Sequence, residues 1–128
     1  MSDGDYVDLQ LNGYRGIDFN ADDLTADDLH RACELLRADG VAGALATVIT
    51  DSLDRITARL AKIAAIRQSD SLVRELIWGV HIEGPFINES QGNVGAHPPE
   101  HVRPATIDAM KQLVDAAGGL TRIVTLAP

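Results

Sequence analysis

The sequence predicts an α/β chain built from parallel (β/α) units, on three observations. Strand-like and helix-like segments alternate in the order β-α-β-α-β-α-β along the 128 residues. The strand-like segments are apolar runs, as expected of strands covered by helices. In two of them polar and aliphatic residues alternate near the C-terminal end, which collects polar groups on one face. That pattern suits a barrel strand with a polar top layer; an open doubly wound sheet is usually apolar on both faces there.

The first strand covers residues 6–12 (YVDLQLN), with Val7, Leu9 and Leu11 pointing one way and Asp8, Gln10 and Asn12 the other. A helix follows Thr25, with Asp28 placed for a capping box. Leu29, Ala32, Cys33 and Leu36 recur at helical spacing, and Gly40 stops the helix. The second strand spans residues 41–50 (VAGALATVIT). The next helix follows Ser52 and carries Leu53, Ile56, Leu60 and Ile63 on one face.

The third strand spans residues 76–83 (LIWGVHIE), with His81 and Glu83 opposite Val80 and Ile82 and with Gly84-Pro85 expected to end it. From residue 85 to about residue 103 there is no periodicity, and long unstructured connections within compact domains are usually functional or disordered. A third helix opens near Pro104 and runs through Ile107, Met110, Leu113 and Val114 to Gly118-Gly119. The fourth strand, residues 121–127 (TRIVTLA), completes the set. Right-handed crossovers place all strand C-termini on one edge, where ligands bind in such folds.

Composition excludes several classes. A net charge of −8 with dispersed arginines offers no surface for nucleic acid. No apolar run approaches a membrane span, so no membrane partner is expected, and the acidic start MSDGDYVD does not read as a signal peptide. A single cysteine, Cys33, allows no intramolecular disulfide and falls on a helical apolar stripe, where it reads as a core thiol. A cytoplasmic protein is the expectation.

Glu83 is the foremost site candidate, because an apolar strand rarely carries an acid without a partner. It reads either as a structural acid paired with an arginine or a loop amide, or as a metal ligand or general acid/base. His81 shares its face and reads as a hydrogen-bonded core imidazole or a ligand. His97 and His101 stand four residues apart, but Pro98-Pro99 between them disfavours a helical two-histidine zinc site. His97 is better read as a hydrogen-bond partner of a ligand. Gly13, Gly16, Gly92 and Gly95 could admit a phosphate but form no recognised phosphate motif. Asp8, Gln10 and Asn12 are weaker ligands than histidine and suit orientation of a substrate or a water.

The segments YVDLQLNGYRGIDFN, GVHIEGPFIN, VGAHPPEHVRP and VTLAP occur in an order that resembles the N-acetylglucosamine-6-phosphate deacetylases of the amidohydrolase superfamily. The resemblance implies a TIM-type (β/α)8 barrel that removes acetyl from an amino sugar phosphate with a divalent metal ion, zinc or iron. It implies that Glu83 is a metal ligand and that Ala96 and His97 contact the substrate, a small-molecule amino sugar phosphate. Gln10 and Asn12 stand where many superfamily members carry a His-x-His metal pair, which suggests a single-metal site. Together with His81 they fall to supporting positions around the metal.

The family's two metal-binding histidines and its catalytic aspartate come from later strands, so no catalytic residue is assigned in this chain. Residues 1–128 thus read as a partial barrel domain, the first four strands and three helices, in a longer enzyme. The isolated segment is expected to be inactive. Its unpaired outer edges also predict a homo-oligomer. Two other readings stand beside the deacetylase: an amidohydrolase for a different N-acyl substrate, and a non-catalytic half-barrel that binds sugar phosphate or self-associates.

Overall fold

A computed structural model describes residues 6–87 and 106–127. In chain order the elements are β1 (Tyr6–Leu11), β2 (Gly13–Tyr14), β3 (Ile17–Asp18), α1 (Ala26–Ala38), β4 (Val41–Val48) and α2 (Leu53–Ser69). Then come α3 (Ser71–Leu76), β5 (Ile77–Ile87), α4 (Ile107–Ala116) and β6 (Thr121–Ala127). β1, β4, β5 and β6 form one parallel sheet in that spatial order. Each new strand is added on the same side of the last, without the reversal of a doubly wound sheet. The fold is α/β, with four parallel strands forming a half-barrel.

Local chemistry explains the helices. Thr25 caps α1 by accepting the Asp28 amide at 3.1 Å while the Asp28 carboxylate accepts the Thr25 amide at 3.0 Å. The expected stripe Leu29, Ala32, Cys33 and Leu36 is fully buried. The chain then leaves α1 through Gly40 at φ 88°, a left-handed conformation that glycine adopts without penalty. Ser52 caps α2, Asp70 caps α3 and Thr106 caps α4.

Ladder register separates the two faces of the sheet. Ala46 pairs with Val80, and Val48 with Ile82; these residues are buried against the helices with Leu36, Ile56, Leu60, Ile63 and Leu113. On the other face Thr47 pairs with His81, and Glu83 with Thr125. The core thiol expected at Cys33 is buried, and that burial pushes its pKa up to about 12, so it is not a thiolate at neutral pH.

Four expectations are corrected. β5 does not stop at Gly84-Pro85 but continues to Ile87: Gly84 takes the left-handed conformation at φ 76°, and the ladder to β6 resumes at Ile87 after a register shift. β1 does not bury a continuous aliphatic face. Val7 is 44% and Leu9 55% exposed, since β1 is an edge strand and its register slips between Asp8 and Leu11. On α4 only Leu113 of the expected apolar stripe is fully buried, and Ile107 is exposed. Finally, the β2–β3 hairpin and α3 were not expected. The hairpin is held by Tyr14 and Arg15 donating to Asp39 at 2.5 and 2.7 Å.

Gly79 has a packing reason. A Cβ there would lie 2.5 Å from the Leu120 carbonyl oxygen, a backbone atom that cannot rotate away. Gly79→Ala is expected to cost about 1–3 kcal/mol, read as a lower urea midpoint with an unchanged m-value. A variant as stable as the parent would show that the turn before β6 relaxes freely.

Candidate functional site

Glu83 lies in the C-terminal half of β5, one residue past Ile82, which pairs with Val48 at the end of β4. Its carboxylate is half-buried and accepts a hydrogen bond from Gln10 Nε2 at 2.8 Å. Gln10 lies on β1 and Glu83 on β5, with β4 between them, so the contact depends on the curvature of the sheet. The Glu83 backbone is reached from the other side, where the Thr50 hydroxyl donates to its carbonyl at 3.4 Å.

His81 lies one layer below on the same face and is buried. Its Nδ1 is 2.8 Å from the Leu9 carbonyl oxygen, and its Nε2 is 2.6 Å from Thr125 Oγ1. A carbonyl only accepts, so Nδ1 carries a proton; in the neutral ring Nε2 accepts from the Thr125 hydroxyl. Both ring nitrogens are thereby occupied, and the imidazole ties β1, β5 and β6 together beneath Glu83. Asn12 stands exposed just past β1, where its carbonyl accepts the Phe19 amide at 2.9 Å. Ala96 and His97 lie outside the described residues, as do Gly92, Gly95 and His101.

Residues not singled out from the sequence build the rim. Buried Asn20 donates through Nδ2 to the Thr47 carbonyl and accepts the Ile49 amide through Oδ1, each at 2.9 Å. Buried Arg59 of α2 donates to Asp22 at 2.9 Å and Asp51 at 3.0 Å, joining the loops after β3 and β4. Burial pushes the Asp51 carboxyl up, but the Ser52 amide and the Arg59 and Arg55 guanidiniums outweigh it and hold the group below its ordinary value. The sequence did contain a signal for Arg59. It interrupts the apolar face made by Ile56, Leu60 and Ile63, where an arginine needs carboxylate partners.

A divalent cation of the zinc or iron kind takes three or more protein donors. Among the described residues no three His, Cys, Asp or Glu side chains converge to hold one. Glu83 has the donor chemistry of one ligand, and its carboxylate is held by Gln10. The described residues thus offer one such donor and do not by themselves make up a cation site. No helix among them is long and apolar enough to cross a membrane.

No family model matches the chain. It is 34% identical over 125 residues to an N-acetylglucosamine-6-phosphate deacetylase of Bacillus subtilis (strain 168), covering 95% of this chain and 30% of that protein. It is 32% identical over 123 residues to an N-acetylgalactosamine-6-phosphate deacetylase of Escherichia coli O157:H7, covering 96% of this chain and 31% of that protein. Among solved structures it superimposes with a TM-score of 0.80 on an N-acetyl-D-glucosamine-6-phosphate deacetylase mutant from Mycobacterium smegmatis in complex with N-acetyl-D-glucosamine-6-phosphate. That match has 31% identity and covers 96% of this chain and 30% of the other. The chain thus spans under a third of the length of these relatives. By sequence and by structure, it is homologous to the N-acetylglucosamine-6-phosphate deacetylases over about 30% of their length, as a partial domain.

Proposed function

We propose that this chain supplies the first four strands of the barrel of a longer metal-dependent hydrolase that removes the N-acetyl group from N-acetylglucosamine-6-phosphate. The observation that carries this reading is the likeness to such deacetylases across 95% of the chain, with Glu83 of β5 held by Gln10 of β1. In it Glu83 is a metal ligand, Gln10 and His81 hold that ligand and its strand in place, and Asn12 stands at the rim. Ala96 and His97 contact the sugar phosphate. A bound divalent cation would supply water activation at neutral pH. The group that moves a proton to the leaving amine comes from outside these residues, and the segment alone is inactive. A phosphorylated substrate is charged and stays in the compartment where it is made, which goes with a cytoplasmic enzyme.

The test is acetate release by the product of the whole reading frame containing this segment, supplied with N-acetylglucosamine-6-phosphate, its galactosamine epimer and the unphosphorylated sugar. Turnover of the glucosamine phosphate above the other two supports the proposal. Preference for the epimer would favour the second reading, raised by the relative named as an N-acetylgalactosamine-6-phosphate deacetylase. Equal turnover with and without phosphate would sink both.

A further inference from the structure

β1 ends at Leu11, whose ladder partner on β4 is Ala46. Beyond that point no strand among the described residues lies beside the β1-facing edge of β4, yet two of its backbone groups are paired. The Thr47 carbonyl accepts Asn20 Nδ2–H, and the Ile49 amide donates to Asn20 Oδ1. In a parallel ladder one residue donates to the carbonyl before its partner and accepts from the amide after it. The Asn20 carboxamide reproduces that pattern about Val48, and Val48 pairs on its other side with Ile82, next to Glu83. A side chain thus replaces a strand residue for one rung.

We propose that Asn20 is a positioning residue for Glu83: its carboxamide extends the β1–β4 ladder and holds the strand ends at the separation Gln10 needs to reach Glu83. Two further contacts align with this. The Phe19 amide, one residue earlier, donates to the Asn12 carbonyl, so the loop is closed back onto the end of β1. On the β4 side, Thr50 follows directly on Ile49 and donates to the Glu83 carbonyl. The Asn20 amide itself donates to Asp18 Oδ1 at 2.8 Å, which fixes the backbone that presents the side chain. The inference rests on the reading of Glu83 as the working carboxylate but involves neither metal nor substrate.

Amide hydrogen exchange and the Gln10 side-chain amide resonances in the 128-residue chain test it, with Asn20→Ala and Asn20→Asp. The aspartate preserves size and the acceptor for Ile49, but it offers the Thr47 carbonyl a second oxygen instead of a donor. In the parent the Ile49 amide is protected like the ladder amide of Val48. In Asn20→Ala it exchanges about tenfold faster, as loss of one hydrogen bond requires, while the α1 amides are unchanged. In both variants the Gln10 side-chain resonances move to those of a free carboxamide. Unmoved Gln10 resonances in a folded variant would overturn the proposal, and so would parent-like behaviour of Asn20→Asp. If both variants unfold, the parent decides: an Ile49 amide exchanging as freely as an exposed loop amide refutes the added rung. Failure of the acetate assay with these signatures intact would count against the deacetylase reading alone.

Discussion

On the proposed function, Glu83→Gln is expected to abolish acetate release by the complete protein while leaving the fold of this half-barrel intact. The two effects separate because Gln10 donates to Glu83 through Nε2, and a glutamine at position 83 still presents a carbonyl oxygen to accept it. The Thr50 contact is to the backbone and is unaffected. What is lost is the negative charge, and with it the affinity for a divalent cation that a neutral amide does not restore. Changes to groups that merely orient a metal ligand already cost roughly 10–100-fold in affinity or activity, so loss of the ligand itself should exceed that range. Metal content per chain and acetate release measured side by side on the purified enzyme check it. Full metal loading and full turnover in Glu83→Gln would refute the assignment of Glu83 as ligand.

The second large effect falls on stability. Arg59→Met keeps most of the aliphatic stem but removes the guanidinium that satisfies Asp51 and Asp22. Removing one partner of a buried pair exposes the other to an uncompensated desolvation cost. Asp22 is 62% exposed on its side chain and returns to water cheaply, whereas Asp51 is only 17% exposed. The expected loss is therefore about 2–3 kcal/mol, below the range for a fully buried pair.

Its pH dependence has a definite sign. The Asp51 carboxyl is held below its ordinary value in the folded chain, so its contribution is present above the unfolded pKa and is lost as pH falls through the folded one. The difference between parent and Arg59→Met should accordingly be largest near neutral pH and shrink in acid. Urea titrations of both proteins at neutral and acidic pH measure it. A difference that grows on acidification would be incompatible with Asp51 as the partner that matters.

The helices were largely legible because their signals are local. Thr25 and Asp28 sit three residues apart, and the buried residues of α1 and α2 recur at the helical period. Glu83 stood out for the same reason, as a charge within a short apolar run. The hairpin was missed because its two-residue strands are too short to show a period, and α3 because its six residues merge with the helix before and the strand after. The slip in β1 was invisible because alternation assumes an unbroken ladder, and only β4 reveals the break.

The sequence by itself determined the alternation of strands and helices, the caps, the core-facing residues of α1 and α2, and the presence of one acid within the apolar strand β5. Those properties follow from neighbours along the chain. The tertiary structure alone decided what the acid meets: Gln10 is 73 residues from Glu83, Thr125 is 44 from His81, and Asn20 is 27 from Thr47. A hydrogen bond acts over about 3 Å and leaves no periodic trace in the sequence when its partners are dozens of residues apart. Pairing of β5 with β6 sets Thr125 within reach of His81, the loop after β3 carries Asn20 to β4, and curvature of the sheet lets Gln10 reach Glu83 across β4; each belongs to the assembled strands rather than to any one of them.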